Sequence, residues 1–324
     1  MWKWKQVDPS HTQQIKAELL GESQIDIPYL ILIITSCAIA TFGLLSNSTA
    51  VIIGAMVIAP LMLPIRSLAF GALIGDSVLF RRGIIAVAIG TFLAVLLSST
   101  LGWLTGITSF GSEILARTQP TLLDLGIAVA AGGIGGYGKI EPKVSSTVAG
   151  TAIAVALMPP ICVIGLGLSQ GNWSLSLGAT LLYLTNLLGI ALACMLVFLL
   201  TGYAPLRQAG KPIMGVIALT SILLLPLGWR FAQLVEQARL ESSLRKALVN
   251  KTITFQRLDL VDLKSNWLTN PPEVRLTVYA KDPVTPKQVE LLEAFITREL
   301  SRPFKFIFMV NYVAEVKREE NPMP

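Results

Sequence analysis

Two groups of residues in this chain have types and spacings that could do chemistry. Gly133-x-Gly135-x-x-Gly138 has the spacing of a dinucleotide fingerprint, and Gly133-x4-Gly138-Lys139 has most of a phosphate-binding loop. In either case backbone N–H groups at a helix start would cradle phosphate oxygens. The second group is Arg66 with Pro60 and Pro64 in the apolar run 49–74, together with Pro159 and Pro160 in the run 144–168. A guanidinium grips an oxyanion through two parallel hydrogen bonds. Proline frees backbone carbonyls that need another partner. The first group would mean nucleotide chemistry, the second solute binding inside a membrane.

The nucleotide reading fails on its neighbours. Ile140 follows Lys139 where a phosphate-binding loop needs Ser or Thr for magnesium. The stretch 153–163 is apolar where a dinucleotide site wants an acid. Both motifs open a helix, yet Pro142 follows almost at once. Ala128, Gly132 and Gly136 instead recur every fourth residue, a flat face for close packing of another helix.

The elements that position these residues follow from composition. The chain is 53% hydrophobic and 14% charged, against roughly 25% charged in a soluble domain. Charges are sparse over 27–230 and dense over 231–324, which predicts a polytopic membrane region followed by a water-soluble domain. Seven apolar runs are candidate spans: 27–45, 49–74, 83–104, 122–138, 144–168, 177–200 and 212–229. Residues 1–25 are polar and lack the apolar core of a signal peptide. Within them Ile15, Leu19 and Leu20 share one side of a short helix, and Trp2 and Trp4 beside Lys3 and Lys5 suit a membrane interface.

Loop charges orient the spans. Lys3, Lys5 and Lys16 precede the first, Arg81 and Arg82 follow the second, Lys139 and Lys143 the fourth, Arg207 and Lys211 the sixth. All fall on one side, and the opposite short loops offer little beyond Arg117. The N-terminus is therefore expected in the cytoplasm. Seven spans would put the C-terminal domain on the other side, and one re-entrant segment would reverse that.

Shifting the sequence by 96 residues lays Gly54, Leu61, Met62, Pro64, Ile65, Gly71 and Gly75 over Gly150, Leu157, Met158, Pro160, Ile161, Gly167 and Gly171. The same shift pairs Leu104-Thr105-Gly106 with Leu200-Thr201-Gly202. The chain thus reads as two repeats, 26–106 and 122–202, followed by a further span at 212–229. Each repeat holds three spans, and an odd number makes the second enter from the opposite face. Inverted repeats of this kind build secondary transporters, with solute sites near the midplane where broken helices meet.

Arg66, Pro60, Pro64, Pro159, Pro160 and Asn186 are accordingly the expected solute-binding or gating residues, and Gly132 and Gly136 the expected packing residues. Arg66 has two other uses, snorkelling to a headgroup or bonding carbonyls freed by the prolines. Asn186, with Tyr183 and Thr185, could equally hold helices together. Asp76 and Asp124 are expected to cap helices, and Glu113 and Arg117 to pair on a short surface helix. Cys37, Cys162 and Cys194 lie in apolar runs without metal-ligand spacing, and His11 is the only histidine. No metal, cofactor or enzymatic site is expected. The +6 charge is not gathered on one polar face, so no nucleic-acid partner is expected either.

Residues 231–324 predict helix, strand, strand, helix and strand. The strands are placed at 252–263, 273–280 and 304–314, and the second helix at 286–300. This is a small α+β domain of ferredoxin-like type. A regulatory or oligomerisation role is its first expectation, with a second copy of the chain as partner, and ligand sensing the second.

The segments SNSTAVIIGAMVIAPLMLPI, VAGTAIAVALMPPICVIGLGLSQGNW and LYLTNLLGIALACMLVFLLTG resemble the prokaryotic membrane family catalogued as domain of unknown function 389. The resemblance covers roughly residues 28–202 and implies an integral protein of a prokaryotic inner, or other internal, membrane. It also implies an Arg-Pro after the fourth span, where this chain has Glu141-Pro142 flanked by Lys139 and Lys143. The expected function is a transporter or channel for a small solute, an anion being favoured by Arg66. The alternative is a scaffold or signal transducer acting through the C-terminal domain.

Overall fold

The computed structural model describes residues 7–106, 110–141, 143–144, 157–204, 206–251, 258–266, 271–280, 283–300 and 302–312. The Trp2–Lys5 run, Pro142, residues 145–156 of the fifth candidate span, residues 252–257 and Ala314 lie outside them. The chain forms two compact units, Met1–Phe231 and Ala232–Pro324.

In the first unit, α1 (Pro9–Glu22) is capped by Asp8, which accepts from the Ser10 N–H. Asp26 caps α2 (Ile27–Leu45) in the same way. Next come α3 (Thr49–Ile58) and α4 (Met62–Ile74), bent by 52° where they meet. Asp76 accepts from the N–H groups of Val78 and Leu79 to start α5 (Ser77–Thr105). A short α6 (Ser112–Leu115) runs into the 3-10 turn Ala116–Thr118. Thr121 and Asp124 form a capping box on α7 (Leu122–Ile140). α8 (Met158–Ser169) and α9 (Trp173–Leu200) complete the bundle, and α10 (Leu206–Lys251) continues into the second unit.

Three of these helices, α2, α5 and α9, are long and apolar enough to cross a membrane singly. The count rises to six if each bent pair is one span: α3 with α4, α6 and its turn with α7, and the two parts of α10. Exposed side chains on the three long helices include Ile31, Ile34, Phe92, Leu96 and Leu184, as a lipid-facing surface requires. The prolines act as helix starters. Pro60 lies in the gap between α3 and α4, and Pro64 is the third residue of α4. Pro159 and Pro160 are the second and third residues of α8. A first-turn N–H has no intrahelical partner, so proline loses nothing there.

The 96-residue offset runs through the helix bounds. α4 starts at Met62 and α8 at Met158, and α5 and α9 start at Ser77 and Trp173. Gly75 and Gly171 follow α4 and α8 at φ 73° and 66°, and Gly106 and Gly202 follow α5 and α9 at 59° and 91°. These left-handed turns favour glycine, which has no Cβ to clash there. The corresponding long helices run antiparallel. Phe70 near the end of α4 packs edge-on, 5.0 Å between centroids, against Phe198 near the end of α9. Gly102 near the end of α5 lies against Ser169 at the end of α8, just before α9 begins. The hydroxyls of Thr91 and Tyr183 meet at 2.7 Å midway. Both α4 and α8 pack against both long helices.

In the second unit, β1 (Leu258–Asn266) pairs antiparallel with β2 (Glu273–Ala280), with a bulge between Leu260 and Asp262. Helix α11 (Pro286–Leu300) then carries the chain to β3 (Lys305–Tyr312), which pairs parallel with β2. Val274, Leu276 and Val278 of β2 bury one face against Leu292 and Ile296 of α11 and against Leu244, Ala247 and Leu248. A ferredoxin-like sheet splits its βαβ unit with an intervening strand. Here β2 and β3 are direct neighbours, in the order β1-β2-β3. The expectation is corrected in that respect, because alternation fixes which face of a strand is buried but not which strand lies beside it.

Candidate functional site

Two polar constellations sit at opposite ends of α7. At its start, a cavity of about 300 Å³ is lined by Glu113, Arg117, Asp124, Pro159, Pro160 and Asn186, among others. Its charged residues come from α6, the 3-10 turn and the start of α7. Arg117 Nη1 is 2.7 Å from Glu113 Oε2, and Glu113 also accepts from Thr49 Oγ1 at 2.6 Å. The Asn47 side chain accepts from the Glu113 N–H at 2.9 Å and ties this lobe to the end of α2. The floor is the first turn of α8 and Asn186, which is 2% exposed. The cavity therefore runs from a charged mouth to the start of a broken helix.

At the other end of α7, the N-terminal helix docks on the bundle. Lys139 Nζ is 2.7 Å from Glu18 Oε2 and 2.8 Å from Glu22 Oε1. The second Glu22 oxygen is 3.1 Å from Arg66 Nη2. Arg66 is 8% exposed, and its Nε has no hydrogen-bond partner among the described residues. Ser67 Oγ donates to the Leu19 carbonyl at 2.8 Å, Lys16 pairs with Asp76, and the His11 ring nitrogen meets the Tyr203 hydroxyl at 2.9 Å. Ile15 and Leu19 fill the apolar interface beneath. One carboxylate thus bridges a cation from each half of the bundle.

These two peripheral elements correspond. The 96-residue offset carries 112–118 onto 16–22, inside α1. α1 packs on α4 and α5, and the 3-10 turn packs on their counterparts α8 and α9. The interiors differ. Asn186 corresponds to Gly90, where a Cβ would strike the Tyr29 hydroxyl, which donates to the Ala86 carbonyl at 2.7 Å. Tyr29 fills on one side the space that is open on the other.

The docking charges set a pH dependence. The hydrogen bond from Lys139 holds Glu18 below its usual carboxylate range, and the Leu79 N–H, then Lys16, do the same for Asp76. Depressed carboxylates stabilise the folded contact above their unfolded values and lose that contribution as pH falls through the folded ones. The protection factors of α1 amides, with exchange normalised to the intrinsic rate at each pH, should therefore be high at neutral pH and fall below about pH 4, the carboxylate range. Equal protection of α1 at both pH values would contradict this.

Of the expected solute residues, Pro159, Pro160 and Asn186 come together in the cavity. Pro60, Pro64 and Arg66 are buried on α4 and its approach and do not line it. Arg66 finds a carboxylate instead of a headgroup or freed carbonyls. Tyr183 joins α5 to α9, and Thr185 Oγ1 bonds back to the Leu181 carbonyl of its own helix at 2.7 Å. A Cβ on Gly132 would lie 2.5 Å from the Ile190 carbonyl oxygen, and one on Gly136 3.2 Å from the Cys194 Cα. Glu18 and Glu22 were missed. The signal for them was the offset itself, which projects the charged α6 lobe onto 16–22.

Residues 56–192 match the sequence profile of the family described as Domain of unknown function (DUF389). An uncharacterized protein of Methanocaldococcus jannaschii is 29% identical over 178 residues, which is 55% of this chain and 55% of that protein. The chain thus spans about half the length of the curated relative it matches. No solved structure matches it. The matched segment holds the cavity floor, Arg66 and Lys139, but not α1. Residues 56–192 of this apolar helical unit thus correspond to the DUF389 domain.

Proposed function

We propose that the first unit is a transporter or channel for a small solute, without catalytic chemistry of its own, in a prokaryotic inner membrane. The solute path runs between two copies of a three-helix unit inserted in opposite senses. The copies are supported by the shared helix bounds and by antiparallel α5 and α9. The carrying observation is the cavity, which descends from the half-buried Glu113–Arg117 pair to Pro159, Pro160 and Asn186 where α8 begins. In this reading the path is open on the α6 side and closed on the α1 side by Tyr29 and the docked helix. The positive-inside pattern makes the closed side cytoplasmic.

The test is flux through the full chain in proteoliposomes, with acetate, bicarbonate, phosphate and chloride as probes. At least one probe should cross faster than in protein-free vesicles. Asn186→Leu, which fills the floor, should slow it by about tenfold, equivalent to roughly 1.4 kcal/mol on the barrier. No flux with any probe, or flux indifferent to Asn186→Leu, sinks the proposal. A second reading, a non-transporting scaffold or signal transducer, is favoured by one feature: the chain carries a second compact unit, Ala232–Pro324, with a hydrophobic core of its own.

A further inference from the structure

The charge cluster under α1 poses a question of balance. Arg66 and Lys139 come from α4 and α7, elements of the two different repeats, and their side chains are 10% and 11% exposed. Uncompensated charges so far from water cost several kcal/mol each. Here the compensation comes from a segment outside both three-helix units. Glu22 reaches in with one oxygen on Lys139 at 2.8 Å and the other beside Arg66 at 3.1 Å. The fit to Arg66 is incomplete, because Arg66 Nε and that same Glu22 oxygen both lack a hydrogen-bond partner among the described residues. A guanidinium satisfied by a free carboxylate would use Nε and Nη2 side by side. A carboxylate tethered to a helix cannot turn to meet both.

We infer that Arg66 and Lys139 form a binding site for a small oxyanion of carboxylate geometry, which the Glu22 carboxylate fills in this structure as a tethered stand-in. An incoming anion takes the two cations, uses the spare Arg66 donor, and releases Glu22 with α1. The two basic residues stay neutralised throughout, so α1 opens when the ion binds. This deepens the transport reading by naming the solute class and the event that uncovers the closed side. The same chemistry would serve a lipid phosphate.

Binding is measured on the full chain in phosphatidylcholine nanodiscs, from the thermal midpoint against acetate, bicarbonate, inorganic phosphate and chloride. Glu22→Gln removes an intramolecular competitor, so acetate should raise the midpoint saturably at a concentration about tenfold lower than in the wild type. The double variant Glu22→Gln/Arg66→Gln should lose the response. No saturable acetate response in Glu22→Gln, its persistence in the double variant, or an equal response to chloride overturns the inference. Should Glu22→Gln fail to fold, the wild-type chain decides: saturating acetate should speed hydrogen exchange in α1, and unchanged exchange overturns the site. Replacing phosphatidylcholine by phosphatidylglycerol separates the sources. A headgroup occupant abolishes the acetate response, a free ion leaves it intact, and either supports the oxyanion site. Binding without flux would remove the transport reading alone, and flux without binding would remove this inference alone.

Discussion

Gly132→Ala is expected to destabilise the helical unit by on the order of 3 kcal/mol or more, whereas Gly133→Ala one residue away is expected to stabilise it slightly. The added methyl at 132 would come within 2.5 Å of the Ile190 carbonyl oxygen and 2.6 Å of its Cα. Both are backbone atoms of α9, so no side chain can swing aside, and the two helices must separate along their contact. That contact includes Gly136 against Cys194 and Ala128 against Gly189. Separation also costs the bond from Cys194 Sγ to the Gly132 carbonyl, 3.2 Å. Gly133 meets nothing within 4 Å, and alanine there gains up to about 1 kcal/mol of helix propensity. Denaturation in matched detergent checks both. Equal behaviour of the two variants would mean that the glycine face is not a packing surface.

Glu22→Lys is expected to release α1 from the bundle. The substitution replaces the bridging carboxylate with a third cation beside Arg66 and Lys139, all in a setting mostly screened from water. Removing one partner of a buried ion pair already costs on the order of 3 kcal/mol, and a like charge adds repulsion. Glu18 on Lys139, Lys16 on Asp76 and the Ser67–Leu19 bond are too few to hold the helix against that. Limited proteolysis should cut within 9–22 in Glu22→Lys far faster than in the wild type. Adding Arg66→Glu should restore protection, since it recreates a pair of opposite charge. Unchanged proteolysis in the single variant, or no recovery in the double, would show that α1 is held by its apolar face alone.

How much of this was legible in the sequence follows from the range of each signal. The three long helices are continuous apolar runs, which composition reports directly. The 96-residue offset was legible because proline and glycine recur at fixed places, and those are the places where α4 and α8 begin and the left-handed turns fall. The ion pairs under α1 were not. Arg66 and Lys139 lie far in sequence from Glu18 and Glu22, and a charge at a helix end looks the same whether it faces water or a partner. The division of the six solute residues was hidden for a similar reason. Pro64 and Pro160 are equivalent in sequence, but Tyr29 closes one side, and its counterpart, Leu125, lies against Gly189. The parallel pairing of β2 with β3 depends on a crossover through α11, which strand alternation does not encode.

The proposed solute path is tested most directly by making the flux measurement at one atom. In a chain whose Cys37, Cys162 and Cys194 are replaced by alanine, Asn186→Cys places a lone thiol on the cavity floor. A membrane-impermeant thiol reagent applied from the α6 side of proteoliposomes should modify it and stop flux, while the same reagent from the α1 side should leave both untouched until α1 is released. A thiol that reacts from neither side, or one that reacts while flux continues unchanged, would contradict a path between the two repeats.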